Sequence, residues 1–348
     1  MTEQTQRPMK FGVSQGFSPA SGALEILRAA EDAGFDQFWL FDSHIIWLEA
    51  YSLMGWLIGQ SRNDKMEFGT CVTNPVTRDP AVVTSAFATL NQITGGRMIC
   101  GIGRGDSSVR VRKRKPANLA EVERAIELIR TVGSGEPMED EDGARVHMEW
   151  AAHRVPIYVA AYGPRALRLA GRVGDGVIFQ VADPFFINWG MQFVRQGAEE
   201  AGRNPDDIVV HCASATFVSD DLDEAREQVR WFPALVANHI ADVLRHHDPD
   251  VMPDYITEYI ESRPKYDYYE HAERGSAHSS YVPDEICDKF TVIGSLDQCA
   301  EKVSELGALG VSEFNIYPSV PDLAGVLRTY GSEIVPRVRS AQAAKGSA

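Results

Sequence analysis

The sequence predicts an α/β fold: a (β/α)8 barrel of the TIM-barrel type, with a long insertion after the seventh strand. Three observations carry this. Short apolar strands alternate with helices along most of the chain, which implies a parallel sheet covered by helices. The alternation yields eight strand–helix units, a number that suits a closed barrel better than an open doubly wound sheet. A GxGxxG turn with a following acidic ribose binder is missing, since Gly101-Ile102-Gly103-Arg104-Gly105 has the wrong spacing.

Lys10 to Ser14 reads as the first strand. The helix from Gly22 to Ala33 places Ala23, Ile26, Leu27 and Ala30 on one face and stops at Gly34. Phe38 to Phe41 is the second strand and runs into Asp42-Ser43-His44. An apolar helix, Tyr51 to Gly59, precedes the third strand, Met66 to Thr70. The turn Cys71-Val72-Thr73-Asn74-Pro75 then leads to a helix that Pro80 opens and Gly95-Gly96 closes. Met98 to Gly103 is strand four, followed by Arg104 to Ser108, a basic loop and a helix from Leu119 to Thr131. Glu136 to Gly143 reads as an acidic surface turn. Strand five is Pro156 to Ala161, with a helix to Arg172; strand six is Gly176 to Phe179, with a helix from Pro184 to Ala201. Strand seven lies within Ile208 to Val218.

Regularity stops there. Residues 219–290 read as an insertion or lid holding one or two helices, too long for a routine connection. A helix from Leu296 to Leu309, strand eight from Ser312 to Tyr317 and a final helix complete the count. The expectation is one barrel domain over residues 1–340 and a frayed polar tail over 341–348.

Composition narrows the function. The 348 residues are 44% hydrophobic and 24% charged, with ample length for a large core. A formal net charge of -15 argues against nucleic acid and anionic membranes as partners. Five cysteines without close pairing fit a reduced cytoplasm, and no CxxC or HExxH spacing points to zinc. No run approaches the roughly 18 apolar residues of a membrane span.

Barrel chemistry collects where strands end. His44 is either a general acid–base group or a histidine that only bonds the strand end. Asp106 is either a second acid–base group or a helix cap beside Ser107 and Ser108. In Tyr162-Gly163-Pro164-Arg165-Ala166, glycine permits close backbone approach and proline suits the first helical position. The free N–H groups beyond it, with Arg165, make either a phosphate cradle or an ordinary helix start. The run Arg110, Arg112, Lys113, Arg114, Lys115 either attracts a polyanionic tail or is a solvated loop. Trp231, Phe232, Tyr266, Tyr268 and Tyr269 line a cleft or pack the insertion, and packing is the favoured reading.

The combination GTCVTNPVTRDPAVV, ATLNQITGGRMICGIGRGDS and PIYVAAYGPRALRLAGRVGDGVI resembles the luciferase-like superfamily of flavin and deazaflavin enzymes. Within it, the chain is similar to the coenzyme F420-dependent oxidoreductases of the methylenetetrahydromethanopterin reductase type. The likeness is strong over residues 9–218 and weaker over 290–318. It implies a homodimeric barrel with the flavin-like ring at the strand C-termini. It also implies a non-prolyl cis peptide at Cys71–Val72, backing one face of the ring. Asn74, Arg104, Gly105 and Asp106 match positions that line the ring and its side chain. Tyr162, Gly163, Arg165 and Ala166 match the phosphate-binding turn. The Asp-His pair of many relatives stands here as Asp42-Ser43-His44, with a residue between, and Asp106 replaces a glutamate found in some. The implied activity is hydride transfer between F420 and a small organic substrate, with His44 and then Asp106 as proton donors. The alternative enzyme is an FMN-dependent monooxygenase fed by a flavin reductase. A third reading is a flavin-binding barrel without catalysis.

Overall fold

A computed structural model describes residues 8–140, 142–244, 252, 254–263, 266–317 and 319–346. The ring strands are Lys10–Gln15, Gln37–Leu40, Glu67–Thr70, Met98–Ile102, Ile157–Ala160, Gly176–Phe179, Val209–Val218 and Glu313–Tyr317. Each pairs in parallel with the next, and the eighth returns to the first, so the sheet closes. Parallel strands covered on both faces are near-continuous apolar runs, and strands two, four, six and eight are buried at every residue, with Gln37, Glu313 and Asn315 the polar exceptions.

The barrel interior is packed rather than hollow. Trp39 is fully buried across the axis, and a Cβ on Gly69 would stand 2.4 Å from its ring. Glycine at 69 is therefore what gives the indole its space. Below Trp39, the mouth at the strand N-termini is closed by polar side chains. Glu313 accepts hydrogen bonds from Tyr158 at 3.1 Å and pairs with His211 Nδ1 at 3.0 Å. Lys10 bridges Glu67 at 2.7 Å, and Gln37 donates to Glu67 at 2.9 Å.

The helices start and stop for local reasons. Asp79, with Pro80 at the first helical position, caps Pro80–Thr94, and Gly95 ends it at φ 68°. Capping boxes open Leu119–Val132 (Asn118 with Glu121) and Leu296–Ala308 (Ser295 with Gln298). Pro164–Val173 and Pro184–Glu200 pack backbone to backbone. A Cβ on Gly171 would meet Val194 O at 1.9 Å, and one on Gly197 would meet Arg168 O at 2.0 Å.

Four findings differ from the sequence reading. Glu136 to Gly143 is expected as a surface turn, but Met138–Glu139 within it pairs with Arg145–Val146 as a two-stranded antiparallel sheet. The described part of the insertion holds four α-helices, Leu222–Val229, Trp231–Leu244, Asp254–Ser262 and Asp284–Phe290, rather than one or two. After it, Val292–Gly294 adds a ninth strand beside Thr216–Val218, the end of strand seven. The C-terminal helix, which carries a π turn at Tyr330–Ile334, continues to Gly346, into the segment 341–348 expected to fray. No helix among the described residues is long and apolar enough to cross a membrane.

Candidate active site

A cavity of about 360 Å³ opens at the C-terminal mouth of the ring. The ends of strands two to six and eight supply part of it, and the insertion roofs it.

Strand two ends in Asp42-Ser43-His44. Asp42 has a fully buried side chain that accepts from Arg78 Nη1 and from Thr73 Oγ1, each at 2.7 Å. It touches the cavity, but its charge is already matched by Arg78. Ser43 also lines the cavity and shares a 2.6 Å hydrogen bond with Ser107. His44 is half-buried and is not among the lining residues; its Nδ1 is buried without a partner.

After strand three, the Cys71–Val72 peptide is cis, and both residues line the cavity. Cys71 Sγ lies 3.0 Å from the Tyr317 hydroxyl of strand eight. Burial pushes the Cys71 thiol up to about 11, so it stays protonated. Asn74 does not reach the cavity. Its Oδ1 accepts from the Val76 and Thr77 amides at 3.0 Å, and its Nδ2 donates to Ser108 at 3.0 Å. It ties the third loop to the fourth.

After strand four, Gly105 takes φ 89°, a conformation that a side chain resists. Arg104 is exposed on the rim and donates through Nε to Ala117 O at 2.7 Å. Asp106 precedes the turn Ser107–Arg110 without capping it. Its Oδ1 instead accepts from Tyr268 and from Arg110 Nε, each at 2.9 Å, while its Oδ2 is buried without a hydrogen bond. Of the basic run, Arg110 is held between Asp106 and Asp242. Arg112, Lys113, Arg114 and Lys115 are exposed, beside Pro116, Asn118 and Leu119 of the cavity wall.

After strand five, Tyr162 donates to Gln180 and stacks on His239 with centroids 4.5 Å apart. Burial, with Cys71 and Asp106 nearby, holds its phenol well above the ordinary tyrosine range, so it is a neutral donor. Gly163 caps the next helix with no side chain on the free amides, and Pro164 is its first residue. Arg165 is exposed and has no partner among the described residues. Gly163, Arg165 and Ala166 all line the cavity.

The insertion supplies what the strand ends do not. His239 and Asp242 come from the helix Trp231–Leu244, and His271 from the segment after Tyr266-Asp267-Tyr268-Tyr269-Glu270. His271 Nδ1 lies 2.8 Å from the Tyr266 hydroxyl. Sequence reading missed all three. One signal was present: Asn238, His239 and Asp242 interrupt a helix whose other residues are nearly all apolar, and buried polar groups need a purpose or a partner. Of the insertion's aromatics, Trp231 and Phe232 pack in the core, Tyr268 bonds Asp106, and Tyr269 is 77% exposed.

Comparison with known proteins agrees with this architecture. The 5,10-methylenetetrahydromethanopterin reductase of Archaeoglobus fulgidus is 30% identical over 346 residues, covering 95% of this chain and all of that one. An F420-dependent glucose-6-phosphate dehydrogenase of Microbacterium testaceum is 29% identical, covering 95% of this chain and 98% of its own length. Among solved structures, the coenzyme F420-dependent tetrahydromethanopterin reductase of Methanopyrus kandleri superposes with a TM-score of 0.74 at 24% identity, covering 95% and 99% of the two chains. The family model described as luciferase-like monooxygenase matches residues 4–313. With the closed barrel and the cavity at its C-terminal mouth, these matches show that the chain belongs to the luciferase-like monooxygenase family.

Proposed function

We propose that this protein is an F420-dependent oxidoreductase that moves a hydride between the deazaflavin and a small organic substrate. The observation that carries the reading is the uncapped helix start at Gly163-Pro164-Arg165, on the rim of a cavity floored by apolar strand ends. Free amides and an unpaired guanidinium there fit a phosphate. The exposed Arg112, Lys113 and Arg114 beyond Arg104 fit a chain of glutamates, in a molecule whose net charge of -15 otherwise repels anions. Relatives whose names specify F420 support the same cofactor.

When bound, the deazaflavin supplies or accepts a hydride at C5. The chain's own residues bind, orient and exclude water. Gly163, Arg165 and Ala166 would hold the phosphate, and Arg104 with the basic run would meet the tail. Val72, Phe41 and Tyr317 line the cavity and would offer apolar surface to the ring. Tyr162, whose hydroxyl donates to Gln180, stays neutral and is no base. Of the two proton donors expected from sequence, Asp106 faces the cavity and His44 does not.

The five cysteines are all free and buried, which supports a reducing compartment such as the cytoplasm. Exposed Trp56, Val82 and Ile93 (40%, 59% and 64%) on the helices Ala50–Gln60 and Pro80–Thr94 support a homodimer. Sedimentation checks that, and a monomer at micromolar concentration rejects it.

Fluorescence titration with F420 and with FMN tests the cofactor. We expect F420 to bind at least tenfold more tightly. Tight FMN binding without F420 binding would instead make the protein a monooxygenase served by a flavin reductase.

A further inference from the structure

The histidines that reach the cavity are not the one beside strand two. His44 stands off the lining, whereas His239 and His271 enter it from the insertion. His239 is the more informative. It stacks on Tyr162, and its Nε2 lies 4.0 Å from Asp106 Oδ2, the buried carboxylate oxygen that lacks a hydrogen bond. Among the described residues, the charged groups facing it are Asp106 and Arg110 from the fourth loop and Asp242 one turn along its own helix; the phenols of Tyr162 and Tyr268 are neutral. A proton on His239 would stand beside the Asp106 oxygen that has no hydrogen bond of its own.

We propose that His239 is the catalytic residue that exchanges the substrate's proton during hydride transfer, with Asp106 as its charge partner. This rests on the F420 reading above. In the oxidative direction the substrate C–H bond breaks, and both its electrons leave with the hydrogen to the deazaflavin. The proton on the adjoining oxygen or nitrogen passes to His239 Nε2, and the electron pair it leaves forms the new double bond to carbon. In the reductive direction Nε2 returns that proton. Burial lowers the affinity of His239 for a proton below the ordinary histidine value, Asp106 and Asp242 oppose this, and Arg110 adds to the lowering. A ring so poised is neutral near pH 7 and ready to accept.

The test uses the whole protein with F420 as probe. Histidine-labelled NMR follows the His239 ring, assigned by its absence in His239→Gln, from pH 5 to 9 with and without F420. We expect the ring to titrate, to shift on F420 addition, and to titrate at lower pH in Asp106→Asn, which removes a charge that favours the proton. A ring that neither titrates nor responds to F420 overturns the proposal. F420 affinity of His239→Gln should stay within about threefold of wild type; failure of the wild type to bind F420 sinks the cofactor reading instead. Turnover is followed as F420 reduction by a panel of small alcohols, using the fastest donor. His239→Gln should lose about 100-fold in kcat, the scale of general acid–base catalysis, together with the pH limb of the histidine. Collapse of turnover in His44→Gln with His239→Gln near wild type would assign the role to the second-strand loop.

Discussion

The rim of the barrel and the insertion above it use their polar residues differently. In the loops after strands two and three, polar groups are matched before any ligand arrives: Asp42 is held by Arg78 and Thr73, and Asn74 bonds two amides and Ser108. These groups fix the loops to one another. In the insertion, His239 and His271 project into the cavity, and Tyr268 and Asp242 reach across to Asp106 and Arg110. The loops after strands two and three build a frame, and the insertion brings titratable groups over the cavity. A candidate residue at a strand end is therefore to be judged by whether its bonds are already satisfied, not only by its position.

The sharpest way to break this contrast is to damage the frame. Trp39→Ala should cost about 3–5 kcal/mol in urea unfolding, since it empties the barrel axis. A loss near zero would mean that the interior is not the rigid part. A second frame test uses pH. Burial alone would raise the Glu313 carboxyl, but His211 and Lys10 outweigh it and leave it below the usual glutamate range. A depressed folded value stabilises above the unfolded value, about 4.3, and that contribution is lost as pH falls through the folded one. Wild type should then lose stability on acidification more steeply than Glu313→Gln; parallel curves would remove the ion pair from the account.

Cofactor binding sharpens the rim side. Arg165→Ala should weaken F420 by about 1.5–3 kcal/mol, the range for a charge-assisted hydrogen bond, read by fluorescence titration. Neutralising Arg112, Lys113 and Arg114 together should cost about 1–3 kcal/mol at low salt, at roughly 0.2–1 kcal/mol for each exposed contact. The loss should be larger for F420 than for FMN, and should shrink near 1 M salt, where screening acts within about 3 Å. Equal losses for both cofactors would return the run to a solvated loop.

The smallest expected effect lies in the insertion. Tyr268→Phe removes the hydrogen bond to Asp106 and should cost roughly 0.5–1.5 kcal/mol. Hydrogen exchange should show it in residues 266–290 alone. Equal acceleration in the ring strands would mean that lid and barrel open as one unit.

The barrel was legible because buried parallel strands must be apolar runs, and such runs stand out between capped helices. Gly163-Pro164-Arg165 was legible because a helix start has a local grammar. The Cys71–Val72 cis bond came from resemblance and not from the residues themselves. What stayed hidden depends on the third dimension. Nothing local separates Ser43 from His44, yet one faces the cavity and the other does not. His239 meets Asp106 across 133 positions of sequence, a proximity that only the folded insertion creates.

The insertion leaves and rejoins the barrel at almost one point. Val292–Gly294 pairs with Thr216–Val218, and the Ser219 amide donates to Gly294 O at 2.9 Å. Its two ends are thus held a strand's width apart, about 4.8 Å, by backbone bonds indifferent to side-chain identity. Closing a longer or shorter excursion across that gap changes the free energy only slowly with length. The segment is exchangeable in the manner of a cassette. A lineage, or an engineer, can trade one cap for another between Val218 and Val292 and so change which acid–base groups and which substrate surface sit over the same cofactor floor, leaving the barrel's own folding problem already solved.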